Sequence, residues 1–111
     1  FEQCYKNKLP LPVVLPGSQT RSFTHVEDTV NICYEAWKKN KNSHYSISSK
    51  KSYSILAVAK MFRSKIKLLS RRPGERYASA LINKNLSNKM YKYFGKIELK
   101  KYISSFIQKN N

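Results

Sequence analysis

Three times along this chain, apolar side chains recur at i, i+3, i+4 and i+7. The sets are Val30, Cys33, Tyr34 and Trp37; Ile55, Val58, Ala59 and Phe62; and Leu99, Tyr102, Ile103 and Phe106, with Ile107 beside the last. At 3.6 residues per turn this spacing lines one face of a helix, so each run predicts a helix with an apolar stripe. A stripe of this kind needs cover, and the expectation is that all three face a common core. The runs between them are too short for helices. "VVL" at 13–15, "TRSFTHV" at 20–26, "HYSIS" at 44–48 and "KIKLL" at 65–69 predict short strands. In the second, Arg21, Phe23 and His25 share one side, with Ser22, Thr24 and Val26 on the other; in the last, Ile66 and Leu68 share a side. Short strands with about three to four helices predict a small α/β fold, and 111 residues form one domain, 1–111.

The punctuation agrees. Residues 1–8 read as the end of a helix, broken by Pro10 and Pro12, and Pro16-Gly17-Ser18 is a turn. Asp28 or Thr29 can cap the first striped helix, and Ser52 or Ser54 the second. "NKNS" at 40–43 predicts a loop and "SRRPGERYAS" at 70–79 an irregular, arginine-dense one. A short helix is expected within 85–91 and a last one from Glu98 to Gln108.

Several classes of function lose support at this stage. No apolar run approaches the roughly 20 residues that span a bilayer, and no signal-peptide pattern opens the chain, so the expectation is a cytoplasmic protein without a membrane. "FEQCYKNK" reads as if the chain begins inside a larger protein. Cys4 and Cys33 lack CxxC spacing and are expected to be reduced, buried thiols, with a disulfide or a metal site left open. His25 and His44 have no evident nucleophile and orienting partner, and are expected to be structural.

The net charge of +16 suggests nucleic acid, because a basic face gains affinity by releasing counterions from phosphates. Yet 17 of the 22 basic residues are scattered lysines, hydrated point charges rather than the planar fork that suits phosphate. A solvated surface is the expectation. A lysine-rich nucleic-acid module is the alternative.

Two sites differ from the scattered lysines: Arg21 on its strand, and Arg71-Arg72 before Pro73-Gly74-Glu75. Two guanidinium groups on such supports can grip a diphosphate from two sides through paired charge-assisted hydrogen bonds, if the fold brings them together. Glu75 is an acceptor suited to a ribose or sugar hydroxyl.

"LPGSQTRSFTHVEDTV" resembles the G-D-G-x-Q-T-R-D-F-x-Y-V-x-D stretch of nucleotide-sugar epimerases and dehydratases in the extended short-chain dehydrogenase family. "HYSISSKKSYSILAVAKMF" is similar to the strand and helix that follow it, "RRPGERYAS" to the R-x-G-[ED] loop, and "YFGKIELKKYISSF" to the closing helix. The motifs occur in order over almost the whole chain, closest to the UDP-glucose 4-epimerase type. Departures are Pro16 and Ser22 at two usual aspartates, His25 at the tyrosine, Ser48 and Lys50 at two glycines, and a missing proline in the last segment.

The resemblance implies a C-terminal substrate-binding lobe, normally packed on an N-terminal Rossmann domain of the same protein that is absent here. It implies a nucleotide-diphospho-sugar ligand, most simply a UDP-sugar. Arg21 and Arg72 would contact the diphosphate and Glu75 a ribose hydroxyl. The backbone around Pro12 to Val14 would lie along the base, with Arg71 adjacent. NAD and the Tyr-x-x-x-Lys pair would belong to the parent, an isomerase. With glycines only at 17, 74 and 95, this segment has no dinucleotide fingerprint and is expected to be inactive alone. Parted from its partner domain, such a lobe would expose an apolar face and self-associate.

Overall fold

The computed structural model describes residues 1–39, 44–74 and 90–111. In chain order these form α1 (Glu2–Lys6), β1 (Leu11–Val14), β2 (Thr20–Arg21), α2 (Val26–Lys39) and β3 (His44–Ser48). There follow β4 (Tyr53–Ser54), α3 (Ile55–Met61), β5 (Ile66–Leu69), β6 (Met90–Phe94) and α4 (Leu99–Lys109). The α/β expectation holds, with four helices among the described residues.

The strands pair in three two-stranded units. β1 runs parallel to β5 with Leu11 opposite Ile66 and Val14 opposite Leu69. β3 runs parallel to β6 from His44 opposite Met90 to Ser48 opposite Phe94. β2 and β4 form a short antiparallel bridge, with Arg21 opposite Tyr53. Leu11 and Val13 of β1 are fully buried against Val58 and Ala59 of α3, Phe62 at its C-cap and Ile103 of α4. Each of these side chains except the small Ala59 contributes about 1.5–3 kcal/mol through burial. Phe62 also meets Phe1, Tyr5 and Phe106 at ring separations of 5.9–6.1 Å, which docks α1 onto the core.

The α3 stripe therefore faces the core as expected, and so does that of α4 through Leu99, Ile103, Phe106 and Ile107, while Tyr102 is exposed. The stripe of α2 does not face it. Val30, Tyr34 and Trp37 are 60%, 56% and 72% exposed, and Cys33 is exposed as well. The residues α2 buries are Asp28 and Ile32, on the opposite face. Periodicity identified the apolar face but not whether this chain supplies its cover.

Other expectations change with it. Only Thr20 and Arg21 of "TRSFTHV" are strand, because the helix begins at Val26. Asp28 and Thr29 thus lie inside its first turn, and His25 does the capping: its carbonyl accepts the Thr29 N–H at 3.1 Å and its ring Nδ1 accepts the Glu27 N–H at 3.0 Å. At α3 the cap is Ser54, whose hydroxyl accepts the Ala57 N–H at 3.1 Å, while Ser52 shares a hydrogen bond with Ser22. Cys4 is partly buried and Cys33 exposed; both are free thiols, and neither is buried. Leu68 is 57% exposed although Ile66 is partly buried. The helix expected within 85–91 meets a strand at its end, since Met90 and Tyr91 open β6; residues 85–89 and the loop at 40–43 lie outside the described residues. No described helix is long and apolar enough to cross a membrane.

Candidate functional site

The turn after β1 is built by Gly17. Its φ of +78° is unstrained only for glycine, and its N–H donates to the Val14 carbonyl at 3.1 Å. A Cβ there would approach Leu56 Cβ to 3.2 Å and Val13 Cγ1 to 3.3 Å, so the turn packs directly on α3. The Gly17 and Gln19 carbonyls accept the Leu56 and Ile55 N–H groups at 3.0 Å. Gln19, 1% exposed, donates its Nε2 to the Val14 carbonyl at 3.0 Å. Its Oε1 has no hydrogen-bond partner among the described residues. Gln19 thereby fastens β1 to the start of β2. No local pattern marks Gln19 for this role, which rests on its burial and its bond back to Val14.

Arg21 follows two residues later, partly buried, with Nη1 donating to the Thr20 carbonyl at 2.7 Å. Arg71 and Arg72 are exposed and follow β5 in a turn where Gly74 has φ +77°. Because β1 and β5 are parallel, the segments carrying Arg21 and Arg72 both leave the carboxyl end of the same strand pair. Ligands of α/β folds bind beyond the carboxyl ends of strands. Pro12 is exposed on β1, and Val14 is partly buried with its carbonyl already accepting from Gly17 and Gln19. Glu75 lies outside the described residues.

Two depressions flank the turn from Gly95 to Leu99. One, of about 560 Å³, runs past Tyr53, the residue opposite Arg21, and is bordered by Lys50, Lys51, Phe94, Lys96 and Glu98. Lys50 lies over the Phe94 ring at 5.9 Å, and Lys51 Nζ is 4.0 Å from the Glu98 carboxylate. The other, of about 260 Å³, is bordered by Phe23, His25, Val26, Ile97, Leu99 and Tyr102. His25 stands edge-on to Tyr102 at 5.4 Å, and Tyr102 donates its hydroxyl to Glu2 at 2.5 Å. That hydrogen bond to a carboxylate, with a smaller contribution from burial, holds the Tyr102 phenol above its ordinary pKa. His25 is thus engaged through its Nδ1 and through ring contact with Tyr102. Among the described residues no three His, Cys, Asp or Glu side chains group where they could hold a metal ion.

No protein-family model and no curated protein sequence matches the chain. Solved structures do. UDP-glucuronic acid 4-epimerase from Bacillus cereus, in complex with UDP-glucuronic acid and NAD, superposes with a TM-score of 0.75 at 21% identity over 99% of this chain. The chain shares the fold of part of that epimerase. The same enzyme in complex with NAD gives 0.69 at 19% identity, and RMD from Pseudomonas aeruginosa complexed with NADPH gives 0.65 at 13%, each over 98% of this chain. The chain spans only 37% to 39% of the length of those solved chains.

Proposed function

We propose that the chain is the nucleotide-diphospho-sugar-binding portion of an NAD-dependent epimerase-like enzyme, with a UDP-sugar as its ligand. The observation that carries this reading is the fold match, over almost the whole chain, to an epimerase crystallised with UDP-glucuronic acid and NAD. The order of elements supports it: the segments that carry Arg21 and Arg72 follow β1 and β5, the two strands of one parallel pair. In this reading the two guanidinium groups neutralise the diphosphate from two sides, and Glu75 accepts from a ribose hydroxyl. The backbone at Pro12 to Val14 lies along the base, with Arg71 beside it. Binding energy gathered on the nucleotide then orients the sugar, the part of the ligand that reacts. NAD, held by the parent's Rossmann domain, supplies the hydride chemistry when bound.

The test is titration calorimetry of the 111-residue chain with UDP-glucose, UDP and a short DNA. UDP-glucose should bind, and Arg21→Ala or Arg72→Ala should each weaken it at least tenfold while Lys60→Ala and Lys109→Ala leave it unchanged. No heat with either nucleotide at millimolar concentration overturns the proposal. DNA binding whose salt dependence is spread over many lysines would favour the nucleic-acid module instead.

A further inference from the structure

The strand that carries Arg21 is tied down on several sides. Thr20 and Arg21 pair with Ser54 and Tyr53 of β4. Just before them, the Gly17 and Gln19 carbonyls accept from Leu56 and Ile55, so the first amides of α3 hold this segment. A further tie is a side chain: Gln19 Nε2 donates back to the Val14 carbonyl at the end of β1. For stability alone this amide is a poor choice. Gln19 is 1% exposed, and its Oε1 is buried with no hydrogen-bond partner among the described residues, which burdens the fold with an unpaired acceptor. The Val14 carbonyl does not depend on it, because it also accepts the Gly17 N–H at 3.1 Å. Leucine would fill much the same space, remove the unpaired oxygen and orphan no backbone group. What leucine could not do is hold the Gln19 backbone at a fixed reach from β1, two residues before Arg21.

We propose that Gln19 is a positioning residue for Arg21, its buried amide fixing the aim of the guanidinium before any ligand arrives, at a cost in stability. Arg21 Nη1 donates to the Thr20 carbonyl, so the fork is braced on the very backbone that Gln19 anchors. If that backbone shifts, the guanidinium shifts with it. A side chain ordered in advance loses less freedom on binding, so Gln19 contributes to affinity without touching the ligand. The effect on affinity rests on the reading of Arg21 as a diphosphate contact; the ordering of Arg21 does not.

Gln19→Leu in the 111-residue chain separates positioning from support. Its urea midpoint should equal or exceed the native one, while NMR relaxation of the Arg21 Nε–H group shows motion of larger amplitude. UDP-glucose should bind this variant at least fivefold more weakly by calorimetry. Gln19→Glu is the conservative check. A protonated carboxyl can donate to the Val14 carbonyl as the amide does, and a carboxylate cannot. Arg21 order and UDP-glucose affinity, each taken relative to the native chain at the same pH, should therefore be close to native in acid and fall as the introduced carboxyl ionises. A Gln19→Leu midpoint below the native one, or Arg21 relaxation that does not change, makes Gln19 an ordinary structural residue and overturns the proposal. Failure of the native chain to bind UDP-glucose would sink the nucleotide reading alone, because the Arg21 relaxation decides this inference without a ligand.

Discussion

The carboxylate of Asp28, 7% exposed in the first turn of α2, accepts the backbone N–H of Ile97 at 2.9 Å. This bond fixes the turn between β6 and α4 against the start of α2. Gly95 lies so close that a Cβ on it would stand 2.6 Å from Asp28 Oδ2. Asp28→Ala leaves the Ile97 amide without its partner and should cost about 2–3 kcal/mol in denaturant unfolding. Asp28→Asn, which keeps an acceptor oxygen, should cost less. Gly95→Ala should destabilise comparably by displacing the carboxylate.

Gly17 offers a second test, because its strain and its crowding act together. Alanine at φ +78° is disfavoured, and here its methyl would press on Leu56 Cβ, which cannot swing away as a side-chain tip would. Gly17→Ala should cost about 1–3 kcal/mol, seen as a lower urea midpoint. Since the same turn leads to Arg21, nucleotide affinity should fall with it. Gly74→Ala is a useful control: φ is equally positive, but nothing lies within 4 Å of the added carbon.

Tyr102 predicts a response to alkali. Its folded pKa is raised, so the stabilisation is fully present below the ordinary phenol value of about 10 and disappears as pH rises through the folded value. Deprotonation places a phenolate against the Glu2 carboxylate and should loosen α1. Denaturant midpoints measured from pH 8 to pH 11 should fall more steeply in the native chain than in Tyr102→Phe. Parallel curves would show that the hydroxyl contributes nothing.

If Arg21 grips a diphosphate, its planar fork matters as well as its charge. Arg21→Lys should then recover only a small part of the UDP-glucose affinity lost in Arg21→Ala, measured by the same calorimetry. Full recovery would reduce Arg21 to a source of positive charge.

Much of the fold was legible in the sequence where the deciding partner was local. Ser54 was one of two candidate caps, and the α3 stripe and the turn at Gly17 were placed from neighbours within a few residues. β6 was not, because "MYKYF" becomes a strand only through its pairing with β3. Asp28 looked like a cap because its type and position suit one. Its carboxylate instead went to Ile97, and the neighbouring imidazole of His25 took the cap. Arg21 and Arg72 could be picked out as candidates from their settings, but that their segments follow the two strands of one parallel pair depends on strand order, which no local pattern encodes.

Both parallel ladders join strands that are distant along the chain: Leu11 waits for Ile66, and His44 waits for Met90. A ribosome delivers residues in order, so β1 emerges long before the strand that completes it. Neither ladder can begin as a hairpin, and closing each loop spends entropy before any pairing is gained. Each ladder therefore forms only once the residues between its strands are in place. Until then β1 is an unpaired apolar strand, the kind of edge that makes a partly folded chain prone to aggregate.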